Sequence, residues 1–156
     1  MTDVLYKSTR DHSLRITASQ AILQGISRDG GLFVPTRIPK LAIALEDLPG
    51  MDYRETAFAV MRDFLSDFSD EELKDCIRSA YDDKFDTKSI ARLVSLSDAC
   101  YLELFHGATI AFKDMALQIL PYLLPTATKK IDLDKKVVIL VATSGDTGKA
   151  ALEGFK

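Results

Sequence analysis

A continuous apolar run, Val137 to Ala142, constrains the fold of this chain more than any other feature of its sequence. Its β-branched residues do not alternate with polar ones, which is typical of a strand that is buried on both faces of a parallel sheet. The turn Thr143 to Gly148 follows at once, and a helix is predicted to begin near Lys149. The run therefore predicts an α/β fold with a parallel sheet.

A second predicted strand and helix precede this run. Tyr101 to Phe105 is predicted as a strand, and an almost wholly apolar helix is predicted from about Lys113 to Leu124, ended by Pro125. Together these elements predict the first βαβ unit of an open parallel-sheet domain, which binds ligands at the carboxyl ends of its strands. Because one such unit leaves its sheet edges unpaired, we expect a truncated domain, or one that completes its sheet with another chain.

The first 95 or so residues predict a mostly helical region. Apolar residues recur every three or four positions from about Asp52 to Leu65, which predicts an amphipathic helix. Ser69 is the predicted N-cap of the next helix, with Glu72 at the capping-box position. Shorter elements are predicted before them: a helix at Ser19 to Gln24, ended by Gly25, and a strand at Leu32 to Val34. We divide the chain into an N-terminal domain, residues 1–95, and an α/β domain that begins within residues 96–156.

Charge and composition exclude several classes of protein. The formal net charge of −3 gives none of the basic surplus that a nucleic-acid-binding protein needs. No apolar run approaches the ~20 residues that cross a bilayer, and the N-terminus lacks the pattern of a signal peptide, so we expect a cytoplasmic protein. Cys76 and Cys100 are widely spaced, which predicts neither a disulfide framework nor a metal site. The oligomeric state stays open.

The loop His106 to Asp114 places Lys113 in the first turn of its predicted helix. A helix N-terminus carries about half a positive charge, so it disfavours the cationic form of a lysine. The neutral amine is the form that adds to an aldehyde. In the alternative interpretation, the Lys113 ammonium reaches water and pairs with Asp114.

The turn Thr143 to Gly148 offers backbone N–H groups and hydroxyls at a strand-to-helix junction, a typical binding site for a carboxylate or phosphate. Its Gly-Lys ending matches a Walker A loop, but Thr143 replaces the leading glycine and Ala150 replaces the hydroxyl residue that binds Mg²⁺. We therefore reject a nucleotide triphosphatase. The alternative is an ordinary turn in which Ser144 or Thr147 caps the helix.

Several of these segments are similar to one enzyme family. Glu103 to Gln118 closely resembles the cofactor-lysine segment of threonine synthases, which are fold-type II pyridoxal-phosphate (PLP) enzymes. Tyr6 to Arg10 and Asp29 to Pro35 are similar to the opening motifs of that family, and Thr143 to Gly148 resembles the substrate loop of the wider superfamily. The resemblance implies that the α/β part of the chain is the incomplete start of a PLP-dependent catalytic domain.

The resemblance also implies a reaction and a cofactor. The enzyme would be a lyase of threonine biosynthesis, an amino-acid biosynthetic route, and would convert O-phospho-L-homoserine and water to L-threonine and phosphate. Lys113 would bind PLP covalently and transfer protons. Phe112 would pack on the cofactor, with packing in the core as the alternative, and Asp146 would lie beside the cofactor 3-oxygen. His106 is more typical of a loop histidine that orients the backbone than of a catalyst.

The substrate would be held by two further groups of residues. Ser144, Gly145 and Thr147 would bind its carboxylate, and Arg10 and Lys149 are the cationic candidates for its phosphate.

One absence limits what the resemblance implies. The family's glycine-rich loop for the cofactor phosphate would lie beyond residue 156, so we expect this chain alone to be inactive. Ala108 stands where the family usually has proline, which removes a backbone restraint but no reacting group. The alternatives are a threonine-synthase-like phospho-lyase, another fold-type II PLP lyase, or a non-catalytic truncated interaction module.

Overall fold

The computed structural model describes residues 3–156, so the first two residues of the predicted N-terminal domain lie outside it. No helix within these residues combines the length and apolarity needed to cross a membrane. The elements follow in the order β1 (Tyr6–Ser8), α1 (Ala18–Gln24), β2 (Phe33–Pro35), a 3-10 helix (Leu45–Gly50), α2 (Tyr53–Phe64), α3 (Asp70–Ala80), β3 (Arg92–Leu96), β4 (Ala99–Glu103), α4 (Asp114–Leu117), α5 (Leu120–Lys130) and α6 (Asp146–Gly154).

The helices of the N-terminal part begin at capping boxes. The Ser69 hydroxyl accepts the Glu72 N–H at 3.2 Å and the Ser69 N–H donates to the Glu72 carboxylate at 2.8 Å, which confirms the predicted start of α3. Asp52 and Glu55 exchange the same two bonds, both 2.8 Å long, at the start of α2. Gly25 ends α1 with a φ of 69°, a conformation that favours glycine.

The hydrophobic core lies between α3 and α5, with α1 and α2 packed at its sides. Its buried members include Leu73, Cys76, Ile77 and Ala80 from α3, Leu123 and Ala127 from α5, and Ile119 directly before α5. Tyr81 continues this core towards α4, because its hydroxyl donates to the Met115 carbonyl at 2.8 Å. The core therefore fixes the position of α4, which directly follows Lys113.

The strands form two separate antiparallel pairs. β1 pairs with β2, and β3 pairs with β4 in a hairpin that aligns Arg92 with Glu103. The predicted strand Tyr101 to Phe105 thus begins earlier, and its partner is the preceding strand rather than a parallel neighbour. The predicted boundary between residues 95 and 96 falls inside β3.

The predicted helix Lys113 to Leu124 is two helices, α4 and α5, and its predicted end before Pro125 is wrong. Pro121 lies in the first turn of α5, where a missing N–H removes no helical bond. Pro125 lies inside α5, which continues to Lys130.

The run Val137 to Ala142 differs from its prediction as a buried strand. No strand is paired with it among residues 3–156, and Leu140 is 92% exposed. A strand of a parallel sheet needs paired strands for its backbone hydrogen bonds and packed elements that cover both of its faces. The described residues supply neither the paired strands nor the covering elements.

Candidate active site

The loop before α4 is folded around the buried side chain of Asp114. This carboxylate is fully buried and accepts the Thr109 N–H at 2.7 Å and the Thr109 hydroxyl at 2.8 Å. It lies directly against Gly107, where a Cβ atom would be 2.5 Å from Asp114 Oδ2. A side chain at residue 107 would therefore displace the carboxylate that holds the loop.

Backbone strain marks the same loop. Ile110 has a φ of 60°, and its N–H donates to the Gly107 carbonyl at 3.0 Å. A β-branched residue in this conformation costs on the order of 1–3 kcal/mol, and such outliers cluster at functional sites. The Ile110 side chain is 73% exposed, so core packing does not explain the strain.

Lys113 emerges from this loop as a half-buried residue immediately before α4. Its Nζ lies 4.5 Å from the centroid of the Phe112 ring, and it forms no ion pair within residues 3–156. The alternative in which Lys113 pairs with Asp114 is wrong, because that carboxylate faces Thr109 instead. α4 is a single turn of four residues, so its N-terminus places only a weak positive field on Lys113.

The predicted anion loop is organised by a residue that the sequence argument missed. The Thr143 hydroxyl accepts the N–H of Gly145 at 3.3 Å and that of Gly148 at 3.0 Å. Gly145 is the N-cap of α6, has a φ of 147° and makes no side-chain cap. The alternative in which Ser144 or Thr147 caps the helix is therefore wrong. Their hydroxyls make no hydrogen bond to any residue that the structure describes.

The two loops are brought together by α6. Lys149 Nζ donates to the Thr109 carbonyl at 3.2 Å, so it contacts the residue that Asp114 holds. At the other end of α6, Gly154 packs so closely on α4 that a Cβ would lie 2.5 Å from the Leu117 carbonyl oxygen. The loop that ends at Lys113 and the Thr143-to-Gly148 loop are thus neighbours.

Arg10 lies elsewhere in the fold. Its guanidinium donates to the Asp29 carbonyl at 3.0 Å, and it makes no hydrogen bond to either loop within residues 3–156. The Asp29 side chain accepts the Gly31 N–H at 2.8 Å and the Ser8 hydroxyl at 2.8 Å. These bonds, the Gly31 one first, lower the pKa of Asp29. The two opening motifs of the sequence therefore form one small folded unit.

His106 has two acidic partners. Its Nδ1 lies 2.5 Å from Asp86 and its Nε2 lies 2.9 Å from Glu103, and its ring stacks on that of Phe105. The Glu103 bond, followed by the Asp86 bond, raises the pKa of His106.

Comparison with known proteins identifies the family. A family described as "Threonine synthase N terminus" matches residues 5–81. Threonine synthase of Pseudomonas aeruginosa is 40% identical over 154 residues, which are 97% of this chain and 32% of that protein. The crystal structure of PLP-bound threonine synthase from Brucella melitensis superposes with a TM-score of 0.86 at 35% identity, covering 98% of this chain and 33% of that one. The chain belongs to the threonine synthase family.

These matches bear on the predicted fold and on the alternatives. The mixed helix and strand fold, predicted as the N-terminal part of such an enzyme, is confirmed. The chain spans about a third of the length of the threonine synthases it matches. It is also 39% identical over 142 residues to the human protein "Threonine synthase-like 1", which covers 88% of this chain and 19% of that protein.

Proposed function

We propose that this chain forms the N-terminal third of a PLP-dependent threonine synthase, a lyase that converts O-phospho-L-homoserine and water to L-threonine and phosphate. The observation that carries this proposal is the pairing of the two loops within a member of this family. Lys113 ends one loop, the Thr143-to-Gly148 turn forms the other, and Lys149 joins them through the Thr109 carbonyl. A reacting amine and an anion site thus lie on neighbouring segments.

Lys113 is the proposed covalent attachment point of the cofactor. Its amine has no carboxylate partner among the described residues, so it is available to an aldehyde, and the neighbouring Phe112 ring would pack against the cofactor. When bound, PLP supplies an electron-accepting ring that stabilises the carbanionic charge of elimination and addition. Lys113 also carries the protons that these steps exchange at substrate carbon. Asp146 is the proposed neighbour of the cofactor 3-oxygen.

The turn before α6 is the proposed site for the substrate carboxylate. The hydroxyls of Ser144 and Thr147 are not used by the fold, and the N-terminus of a nine-residue helix favours an anion. Gly145 contributes its backbone to the same turn. Thr143 holds this turn in shape, so its role is structural.

Arg10 and Lys149 are the proposed cations for the substrate phosphate. Each spends one donor on a backbone carbonyl, at 3.0 Å and 3.2 Å respectively. A guanidinium has five N–H donors and an ammonium has three, so both retain donors for a phosphate. Of the two, Lys149 has the stronger structural support because it joins the two loops.

The proposed domain division places residues 1–95 in an N-terminal domain and residues 96–156 at the start of the catalytic domain. The second domain would need further chain to cover the exposed run Val137 to Val141. It would also need a cradle for the cofactor phosphate. For this reason we expect the purified 156-residue chain to release no threonine when it is given PLP and O-phosphohomoserine.

Reduction with borohydride tests the attachment directly. In the complete enzyme that contains this chain, reduction in the presence of PLP should add the cofactor mass to the peptide that carries Lys113. Lys113→Ala should abolish both the adduct and the visible absorbance of the covalent cofactor. The matched control is Lys129→Ala in the exposed last turn of α5, which should change neither. An adduct that persists in Lys113→Ala would refute the assignment.

A further candidate is a threonine-synthase-like phospho-lyase that releases phosphate without forming threonine, since the chain is also similar to a protein named as only like a threonine synthase. The products separate the two. Threonine synthase yields threonine and phosphate in equal amounts, whereas the phospho-lyase yields phosphate with an oxo acid and ammonia. Quantifying these products from O-phosphohomoserine decides between the two activities.

A further inference from the structure

The imidazole of His106 is held between two carboxylates from different parts of the fold. Glu103 is the last residue of β4, and Asp86 belongs to the segment between α3 and β3. The Asp86 N–H also donates to the His106 carbonyl at 3.0 Å, so Asp86 contacts both the backbone and the ring. The His106 side chain is only 11% exposed.

This geometry requires a particular protonation state. A carboxylate only accepts hydrogen bonds, and a neutral imidazole has one N–H to donate. Donation from Nδ1 to Asp86 and from Nε2 to Glu103 at once therefore requires the imidazolium. Within residues 3–156, the charged groups that contact the ring are these two carboxylates. Their hydrogen bonds, that of Glu103 first and that of Asp86 second, raise the pKa of His106.

His106 opens the loop that Asp114 closes. Asp114 fixes the far end of this loop through Thr109, and Lys113 is its last residue before α4. His106 is the only residue of the loop that forms an ion pair within the part of the chain that the structure describes. The loop is thus anchored at two points, and the reacting amine lies at its end.

We propose that His106 is a positioning residue for Lys113. As an imidazolium, His106 binds Asp86 and Glu103 and so fixes the start of the loop that ends at Lys113. This inference rests on the proposed function only where it treats Lys113 as the cofactor-binding lysine. The anchoring of the loop by His106 is a property of the fold. Because the pKa of His106 is raised, its two bonds to Asp86 and Glu103 are fully formed below the ordinary pKa of histidine. The contact is lost as pH rises through the raised value.

Nuclear magnetic resonance of the 156-residue chain tests the protonation state. The chain has two histidines, so His12→Asn assigns both signals and is also the control variant. We expect the midpoint of His106 to lie above the ordinary value for histidine, about 6.5, and both of its ring nitrogens to carry a proton at pH 6. Glu103→Gln should lower its midpoint more than Asp86→Asn, because the Glu103 carboxylate is 23% exposed and that of Asp86 is 75% exposed. A midpoint of His106 at or below the ordinary value for histidine would overturn the proposal.

Hydrogen exchange tests the positioning. After correction for intrinsic rates, the amide protection of Thr109 and Ile110 should fall about tenfold or more as pH rises through the His106 midpoint, as the loss of a charge-assisted hydrogen bond implies. In His106→Gln protection should be low and independent of pH, whereas His12→Asn should match the wild type. Unchanged protection in His106→Gln would refute the positioning role.

A third readout keeps this proposal separate from the proposed function. In the complete wild-type enzyme, the rate of borohydride-trapped attachment of PLP at Lys113 should change as pH passes through the His106 midpoint. In His106→Gln this change of rate with pH should be absent. If the wild type forms no adduct at Lys113, the proposed function fails while the resonance and exchange results still stand. If the adduct forms with the same pH profile in both proteins, the positioning role fails alone.

Discussion

Gly107→Ala is the sharpest test of how the lysine loop is built. A Cβ atom at residue 107 would lie 2.5 Å from Oδ2, 2.6 Å from Cβ and 2.9 Å from Cγ of Asp114. The Asp114 side chain is fully buried and cannot swing into water. The substitution must therefore displace the loop backbone or separate Asp114 from Thr109.

The expected cost follows from these contacts. Inserting a methyl group into a packed site costs about 1–3 kcal/mol. Losing one Thr109 bond to the Asp114 carboxylate adds about 1.5–3 kcal/mol, because hydrogen bonds to charged groups are the stronger ones. The lower ends together give about 2.5 kcal/mol. A domain of this size loses about 2–4 °C per kcal/mol, so we expect Tm to fall by about 5–10 °C.

Gly50→Ala is the matched control. A Cβ at residue 50, in the 3-10 helix, would meet no atom within 4 Å. Thermal unfolding followed by circular dichroism should place this variant near the wild type and Gly107→Ala well below it. Hydrogen exchange should also show lost protection at Thr109. A Gly107→Ala protein with the Tm and the Thr109 protection of the wild type would refute the account of the loop.

Local signals predicted the N-terminal helices well. The helix predicted from Asp52 to Leu65 is observed from Tyr53 to Phe64, and Ser69 caps α3 as expected. A capping box acts over four residues and an amphipathic stripe over one helix, so both can be read from sequence alone.

The strands depend on partners that sequence does not specify. Tyr101 to Phe105 has a strand's composition, but composition does not select between a hairpin and a parallel neighbour. The missed signal is the pair Ser97-Asp98, two turn-forming residues between the two strands of the hairpin. Val137 to Ala142 shows the same limit, because a strand-like composition does not supply the neighbouring strands that a parallel sheet needs.

The candidate site divides in the same way. The motifs predicted which loops matter, and the structure brings the Lys113 loop and the Thr143-to-Gly148 loop together. Helical spacing alone disfavours a Lys113–Asp114 pair, because adjacent residues face different directions in a helical turn. Sequence could not show that Asp114 turns inward to Thr109. Nor could it pair His106 with Asp86, which lies 20 residues earlier in the chain.

Two further predictions concern the contacts that join the helices. Gly154→Ala should destabilise the packing of α6 by about 1–3 kcal/mol, because its Cβ would lie 2.5 Å from the backbone oxygen of Leu117; a lowered urea midpoint measures this. Glu72→Gln should reduce the loss of unfolding free energy that the wild type shows as pH falls from neutral to acidic values. Burial alone would raise the pKa of Glu72, but its bonds to Lys130 and Ser69 lower it overall. A lowered pKa contributes stability above the unfolded value of about 4.3, and that contribution is lost as pH falls through the folded value. The glutamine retains the capping bond but loses the charge, so the variant should be less stable at neutral pH by about 0.5 kcal/mol and similar to the wild type near pH 3. A difference from the wild type that stays constant from pH 7 to pH 3 in urea denaturation would contradict this linkage.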